Sequence, residues 1–142
     1  MVGEAGDGGA AVRTLGVFSL GEPGKAYARH RDELLQLTAR LPVEHRVRMA
    51  NYLRGGAIVF AAMEHTRDVI DGTFETPGGS GILTDGEYCW RLDCADYVES
   101  YGVDLPREFV DHVAQLDWLS PEVPPERVLV IDRFLMSRRP SP

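Results

Sequence analysis

The sequence predicts an α+β domain in which helices pack on a small antiparallel sheet. Three observations predict this class: apolar residues at helical spacing before residue 55, a short apolar run at 57–63 with a turn signal at Asp85-Gly86, and helical spacing again after residue 93. The expected order is two N-terminal helices, a three-stranded antiparallel meander, two further helices and one late C-terminal strand. At 142 residues the chain suits one domain, expected over 13–135 between a flexible segment, 1–12, and a flexible basic tail, 136–142.

The first elements follow from apolar spacing and from proline and glycine. A short strand is predicted near residues 15–20 and a helix over 24–40, followed by a second helix over 43–54 that starts after Pro42 and stops at Gly55-Gly56. The apolar stripe of the first helix is Ala26, Leu34, Leu37 and Leu41. The apolar stripe of the second is Val43, Val47, Ala50 and Leu53.

The middle of the chain predicts the sheet. Residues 57–63 are continuously apolar, which indicates a buried central strand, and residues 81–84 and 87–90 flank Asp85-Gly86, a pair that favours a two-residue hairpin turn. With that turn Thr84 faces Glu87 and Leu83 faces Tyr88. Alternation then separates two sets of side chains, Leu83, Tyr88 and Trp90 on one face and Ile82 and Cys89 on the other.

The last third of the chain predicts two helices and a strand. Asp93 is placed to cap a helix that Gly102 ends, and its stripe is Cys94, Tyr97, Val98 and Tyr101. A second helix would bury Phe109, Val113 and Leu116. The proline-rich residues 120–126 indicate an extended linker, and the apolar run within 127–135 indicates the final strand.

Charge restricts the classes of partner. The chain has 15 basic and 22 acidic residues and a net charge of −7, which opposes general binding to nucleic acid or anionic lipid. Residues 24–54 carry a net charge of +4, whereas residues 55–126 carry −12. No apolar run reaches the length of a membrane span, and the first residues lack a signal-peptide pattern, so we expect a cytoplasmic protein.

The motifs of common reaction chemistry are weak or absent. The Gly-rich loop at 77–81 precedes a strand and does not match a phosphate-binding loop, and the spacing of Cys89 and Cys94 does not match a zinc site, so no cofactor or metal is expected. Both cysteines are most simply reduced and packed. Acid–base catalysis has three candidates without an obvious structural role, Glu87, Arg91 and Asp96.

The acidic middle of the chain suggests a binding surface. We expect its carboxylates, among them Glu87, Asp93, Asp96, Glu99 and Asp111, to form a continuous negative face away from the Arg-rich helices. Tyr88, Trp90, Tyr97 and Tyr101 are concentrated in one hairpin–helix unit. Such aromatics suit either a core or a binding patch, and Tyr88 and Trp90 join the five carboxylates as candidate binding residues.

Two functions from different classes follow. The first is a binding module of immunity or accessory type that engages a basic protein or peptide through residues 55–126. The alternative is a small enzyme or accessory factor of a bacterial biosynthetic pathway, acting on a peptide or metabolite, in which Glu87, Arg91 and Asp96 border an aromatic pocket. The residues alone do not decide whether a reaction is catalysed, and the absence of a catalytic motif favours the binding module.

One stretch resembles known sequences. Residues 83–109 contain Leu83-Thr84-Asp85-Gly86-Glu87, then Trp90 and Asp93, then Tyr97-Val98, and finally Leu105-Pro106 with Glu108-Phe109. This pattern is similar to that of small, mostly uncharacterised actinobacterial proteins. The resemblance implies a bacterial origin, but it implies no established activity and no catalytic residues.

Overall fold

The computed structural model describes residues 12–15, Phe18 and residues 31–137. Within these ranges the strands are β1 (Arg13–Thr14), β2 (Ala57–Phe60), β3 (His65–Arg67), β4 (Glu75–Pro77), β5 (Ile82–Thr84) and β6 (Tyr88–Arg91). The helices are α1 (Arg31–Leu37), α2 (Val43–Arg54), α3 (Cys94–Tyr101), α4 (Arg107–Gln115) and α5 (Pro125–Met136). The α+β class is therefore as predicted. Three predicted segments lie wholly or largely outside the described residues. They are residues 24–30 of the first predicted helix, most of the predicted strand near 15–20, and the two termini expected to be flexible, of which only residues 12, 136 and 137 are described.

The main sheet has four strands in the order β1-β6-β5-β2. The predicted three-stranded meander is corrected here, because β1 adds a fourth strand that runs parallel to β6, with Arg13 opposite Tyr88. The other two pairings, β6 with β5 and β5 with β2, are antiparallel. The strand predicted over 57–63 ends at Phe60, and it lies at the edge of the sheet rather than at its centre.

The hairpin between β5 and β6 exists, but its turn lies one residue later than predicted. Thr84 faces Cys89 and Leu83 faces Trp90. The cause is the Asp85 side chain, whose Oδ1 accepts the backbone N–H groups of Glu87 and Tyr88 at 2.9 and 2.8 Å. Asp85 therefore belongs to the strand end, and Gly86, with a φ of +102°, begins the turn.

Gly86 carries the first stability prediction. A β-branched residue is strained at positive φ, so Gly86→Val is expected to lower the free energy of unfolding by roughly 1–3 kcal/mol. Urea unfolding of the variant measures this loss. The matched control is Glu87→Val, which tests a valine at the neighbouring, exposed turn position. Equal stability of Gly86→Val and the unchanged protein would contradict the assigned turn.

The small sheet of β3 and β4 continues the β2–β5 pairing. Phe60 is opposite Ile82 and His65 is opposite Pro77. One strand advances five residues while the other goes back five, so the antiparallel register continues across the gap without a shift. The Gly78 N–H also donates to the Glu64 carbonyl at 2.8 Å. At the bend, a Cβ on Gly81 would lie 2.8 Å from the Phe60 carbonyl oxygen, which explains the glycine. The two sheets are thus one bent ribbon, and we call its outer part, residues 64–78, the arm.

The two faces of the main sheet bury the side chains that alternation predicts. Leu83, Tyr88 and Trp90 join the larger core, beneath α2, α3 and α4. Ile82 and Cys89 join a smaller core with Ile131 of α5. The predicted faces are correct although the turn is displaced. Each β5 residue pairs with a β6 residue two positions later than predicted, and a shift of two positions keeps a side chain on the same face of the sheet.

Helix α5 overturns the predicted C-terminal strand. The run Val128-Leu129-Val130-Ile131 reads as a strand, but the apolar contacts with the sheet come from Ile131, Phe134 and Leu135, which share one side of a helix. Pro124 and Pro125 set its start, with Pro125 at the first helical position, where a missing N–H costs nothing. The helix also includes Met136, the first residue of the expected tail.

Helix α1 ends at Leu37 and not at the predicted Arg40, and Ala39 beyond it has a positive φ of 61°. Helices α2 and α3 follow their predicted bounds, with one change of face in α2. Helix α2 spans Val43–Arg54 as predicted, but Val43 and Val47 are 71% and 57% exposed, and Met49 and Tyr52 are buried instead. Helix α3 begins at Cys94 and ends before Gly102, and α4 buries Phe109 and Val113. In the ranges that can be described, no helix is both long enough and apolar enough to cross a membrane.

Candidate functional site

The aromatic residues proposed for binding are core residues. Tyr88 and Trp90 are 3% and 0% exposed, and both rings pack against Phe109 with centroids 4.9 and 5.7 Å apart. The Trp90 indole N–H donates to the Leu53 carbonyl at 3.1 Å. Of the two interpretations of these aromatics, the structure selects the core, and neither ring is available to a partner in this conformation.

Asp93 and Arg91 form a buried ion pair. Asp93 lies at the N-cap position of α3, as predicted, but its carboxylate makes no capping hydrogen bond. It binds the Arg91 guanidinium in a bidentate manner, at 3.0 Å to Nε and 2.8 Å to Nη2, and accepts the Thr66 hydroxyl at 2.9 Å. Both charged residues are at most 1% exposed. Asp93 therefore cannot belong to a negative surface, and Arg91 neutralises its charge in the interior.

Two more predicted carboxylates are paired with an Arg-rich helix. Arg54, at the end of α2, lies 2.8 Å from Asp96 and 2.7 Å from Glu99, both on α3. The predicted separation of the Arg-rich helices from the acidic residues is therefore wrong, because α2 packs directly against α3. Of the five carboxylates named for the continuous face, only Glu87 and Asp111 lie at the surface without a described arginine partner.

The three candidate catalytic residues lie in separate environments. Arg91 is buried with Asp93, Asp96 accepts the Thr76 hydroxyl at 2.5 Å as well as Arg54, and Glu87 is exposed beside His112, 3.7 Å away. The aromatic residues that would line their pocket are in the core. The arrangement predicted for a carboxylate enzyme is not formed.

Asp85 organises a polar cluster that the sequence did not reveal. Its Oδ2 accepts the Tyr52 hydroxyl at 2.6 Å and His112 Nε2 at 2.9 Å, while Oδ1 binds the turn N–H groups. Burial and the Asp85 carboxylate raise the pKa of Tyr52, so its hydroxyl stays protonated and donates. The cluster joins α2, the hairpin and α4, and every group in it has a structural partner.

Cys89 and Cys94 are buried thiols that do not form a disulfide. Burial raises the pKa of the Cys89 thiol to about 12, and it raises the pKa of Cys94 well above the usual range. Both thiols are therefore held in the protonated form at neutral pH and are closed off from solvent in this conformation. The described residues also contain no group of three His, Cys, Asp or Glu side chains arranged to hold a metal ion.

The tip of the arm is anchored by Asp68. Its carboxylate accepts the N–H groups of Ile70 and Thr73 and the hydroxyls of Thr73 and Tyr101. Burial by itself favours the protonated acid, but these hydrogen bonds outweigh it and lower the pKa of Asp68 below its usual range. Because the unfolded chain binds this proton more tightly, the stabilisation is complete above the unfolded-state pKa and is lost as the pH falls through the folded-state pKa.

Asp68→Asn is expected to cost about 1–3 kcal/mol at neutral pH, since the amide presents donors to groups that also donate. The difference from the unchanged protein should shrink below about pH 4, where the aspartate of the unfolded chain begins to take up a proton before the native carboxylate does. Urea unfolding at a series of pH values tests this, with Asp71→Asn, an exposed neighbour, as the control. Parallel pH profiles for the Asp68 variant and the unchanged protein would contradict the assigned anchor.

Much of the surface of residues 55–126 is acidic, even though some of its carboxylates are paired. Two arginines of this segment are exposed, Arg67 and Arg107. Ten exposed carboxylates outnumber them, namely Glu64, Asp71, Glu75, Glu87, Glu99, Glu108, Asp111, Asp117, Glu122 and Glu126. The excess is spread over several elements and does not form the single predicted face. Its long-range field nonetheless favours a cationic partner.

The same segment contains an apolar groove, which we call the β2 groove. It consists of two adjoining concavities of about 270 and 410 Å³ that share Ile58 and Leu92. The first also contains Arg54, Gly56, Leu83 and Asp96. The second also contains Ala61, Ala62, Met63, His65, Pro77 and Gly78. Apolar spacing does not predict this groove, because Ile58 lies in the run 57–63 that indicates a buried strand.

Comparison with protein-family models, with curated proteins and with solved structures finds no match.

Proposed function

We propose that the protein is a binding module of immunity or accessory type, which engages a basic protein or peptide through its 55–126 region. The observation that carries the proposal is the ratio of exposed charges in that region, ten carboxylates to two arginines. A surface with such an excess attracts a cationic partner over a distance of about one Debye length, roughly 10 Å at moderate ionic strength. The effect is a faster, salt-sensitive association.

The biosynthetic enzyme is the less favoured candidate. It requires Glu87, Arg91 and Asp96 to converge on one pocket, and these residues are held apart by the pairs described above. Nothing else in the described residues brings a base, an acid and a cavity together in that way. A binding module needs only an accessible surface with a definite charge.

The test is recovery of a partner from an extract of the cells that encode the protein. The immobilised full chain is exposed to the extract at low and at high salt, and bound proteins are identified by mass spectrometry. We expect a partner with a net positive charge whose recovery falls at high salt, because screening weakens the attraction. A variant with Glu75→Gln, Glu99→Gln and Asp111→Asn, three exposed carboxylates of this region, should recover less of it.

The matched control neutralises Asp32, Glu33 and Glu44, which lie in the other half of the chain. This control should leave recovery unchanged. Failure to recover any cationic protein at low salt, or equal recovery by the unchanged chain and the first variant, would overturn the proposal.

A further inference from the structure

We infer that the β2 groove is the contact surface and that it holds an extended segment of the partner with apolar residues in its middle and a basic residue at the end beside Asp96 and Glu99. The inference rests on the proposed function and specifies its site. It starts from two side chains. Ile58 is 60% exposed and Met63 is 98% exposed, although both are large and apolar. Clustered exposed apolar residues with an adjoining concavity are typical of an interaction site.

The shape of the groove suits an extended polypeptide. Its lining follows the chain from Gly56 to His65, along the edge strand β2 and the bend that leads into the arm. A ligand that contacts the whole groove runs beside β2. An extended chain advances about 3.3 Å per residue, so roughly eight residues cover the groove. Leu83 and Leu92 lie in the concavities, where they offer apolar contact to the middle of the segment.

The charge at one end of the groove is complementary to a basic side chain. At that end Arg54 is shared between Asp96 and Glu99, which leaves one negative charge in excess. At the other end Glu75 is 3.7 Å from His65 and is opposite Arg67 in the β3–β4 pair, so its charge is balanced. Lysine or arginine beside Asp96 and Glu99 meets the excess carboxylate, whereas an acidic residue there meets repulsion.

The experiment uses three synthetic eight-residue peptides and the full chain. The first peptide has leucines in its middle and arginines at both ends; the second replaces arginine with glutamate, and the third replaces leucine with serine. We expect the first to bind in a fluorescence anisotropy titration and the other two to bind at least about tenfold more weakly.

Two variants place the site. Ile58→Lys and Met63→Lys should each weaken binding of the first peptide by about tenfold, since they add a like charge and remove apolar contact. Val43→Lys, on α2, is the matched control, because Val43 is exposed to a similar degree but lies outside the groove. It should change the affinity less than about twofold. All three positions are exposed, so each variant is expected to fold, and a circular dichroism spectrum of each is the check.

Several outcomes would overturn the inference. Equal binding of the three peptides, or equal loss in Val43→Lys and the groove variants, would show that the groove does not select this segment. Concentration-dependent dimers that Ile58→Lys abolishes, without peptide binding, would assign the groove to a second copy of the chain. If Ile58→Lys still recovers the cationic partner from the extract, the groove is wrong but the proposed function stands. If no cationic partner exists, the proposed function itself fails.

Discussion

Replacing Asp85 with alanine is expected to lower the free energy of unfolding by about 3–4 kcal/mol, because one truncation removes the acceptor of four buried or half-buried donors. Those donors are the Tyr52 hydroxyl, His112 Nε2 and the N–H groups of Glu87 and Tyr88. Tyr52 is 1% exposed and has no access to water as a replacement. A hydrogen bond to a charged acceptor contributes more than a neutral one.

Urea unfolding of a graded series tests this expectation. Tyr52→Phe removes one donor and should cost about 1–2 kcal/mol, and Asp85→Asn keeps one acceptor oxygen and should fall between Tyr52→Phe and Asp85→Ala. Because Tyr52 and Asp85 are in contact, the losses of the single variants should not add in the double variant. Asp111→Ala, on the exposed side of α4, is the control and should change stability by less than about 0.5 kcal/mol. A loss below about 1 kcal/mol for Asp85→Ala would contradict this role.

The parts of the fold that apolar spacing predicts are those in which one face is buried and the other is exposed. The assignment of Leu83, Tyr88 and Trp90 to one face of the sheet and of Ile82 and Cys89 to the other is confirmed. The bounds of α2 are confirmed as well. In each case the pattern depends on local geometry, which a single sequence contains.

Prediction failed where a continuous apolar run fits two structures. The run before Asp132 satisfies a strand and also one turn of a helix, and only packing against Ile82 and Cys89 decides for α5. The prolines before this run predict an extended linker, whereas Pro125 is the first residue of α5. The edge position of Ile58 likewise depends on which strands pair, a long-range property that residue type does not determine.

Charged residues were the least predictable part of the candidate site. A single sequence gives Asp85 a role in a turn and Asp93 a role at a helix cap, and it does not indicate that Arg91 is buried, because such side chains are almost never buried unless they are paired. Two of the groups that complete the pairing, Tyr52 for Asp85 and Thr66 for Asp93, are more than 25 residues away along the chain. The acidic region was therefore read as a single face, whereas part of its charge stabilises the fold.

The second large effect is expected at Arg91. Arg91→Met preserves much of the side-chain volume but leaves the Asp93 carboxylate buried without its guanidinium, and this should cost about 3–5 kcal/mol at neutral pH. Burial raises the pKa of Asp93, while Arg91 and Thr66 oppose that increase. Removing Arg91 takes away the larger of the two opposing interactions, so Asp93 should accept a proton more readily in the variant.

The pH dependence distinguishes a lost charge partner from lost packing. In Arg91→Met the folded state binds the Asp93 proton more tightly than the unfolded chain, so its stability is greatest below the unfolded-state pKa and falls as the pH rises through the folded-state pKa. The loss in free energy of unfolding relative to the unchanged protein should therefore narrow as the pH is lowered from neutral toward about 4.

Adding Asp93→Asn to Arg91→Met removes the unpaired charge and should recover part of the loss at neutral pH, whereas Asp93→Asn alone should be destabilising. Urea unfolding at several pH values measures the free energy of unfolding of the three variants. A deficit that is independent of pH, or a double variant that is as unstable as the sum of the single ones, would mean that Arg91 acts by packing and not by neutralising Asp93.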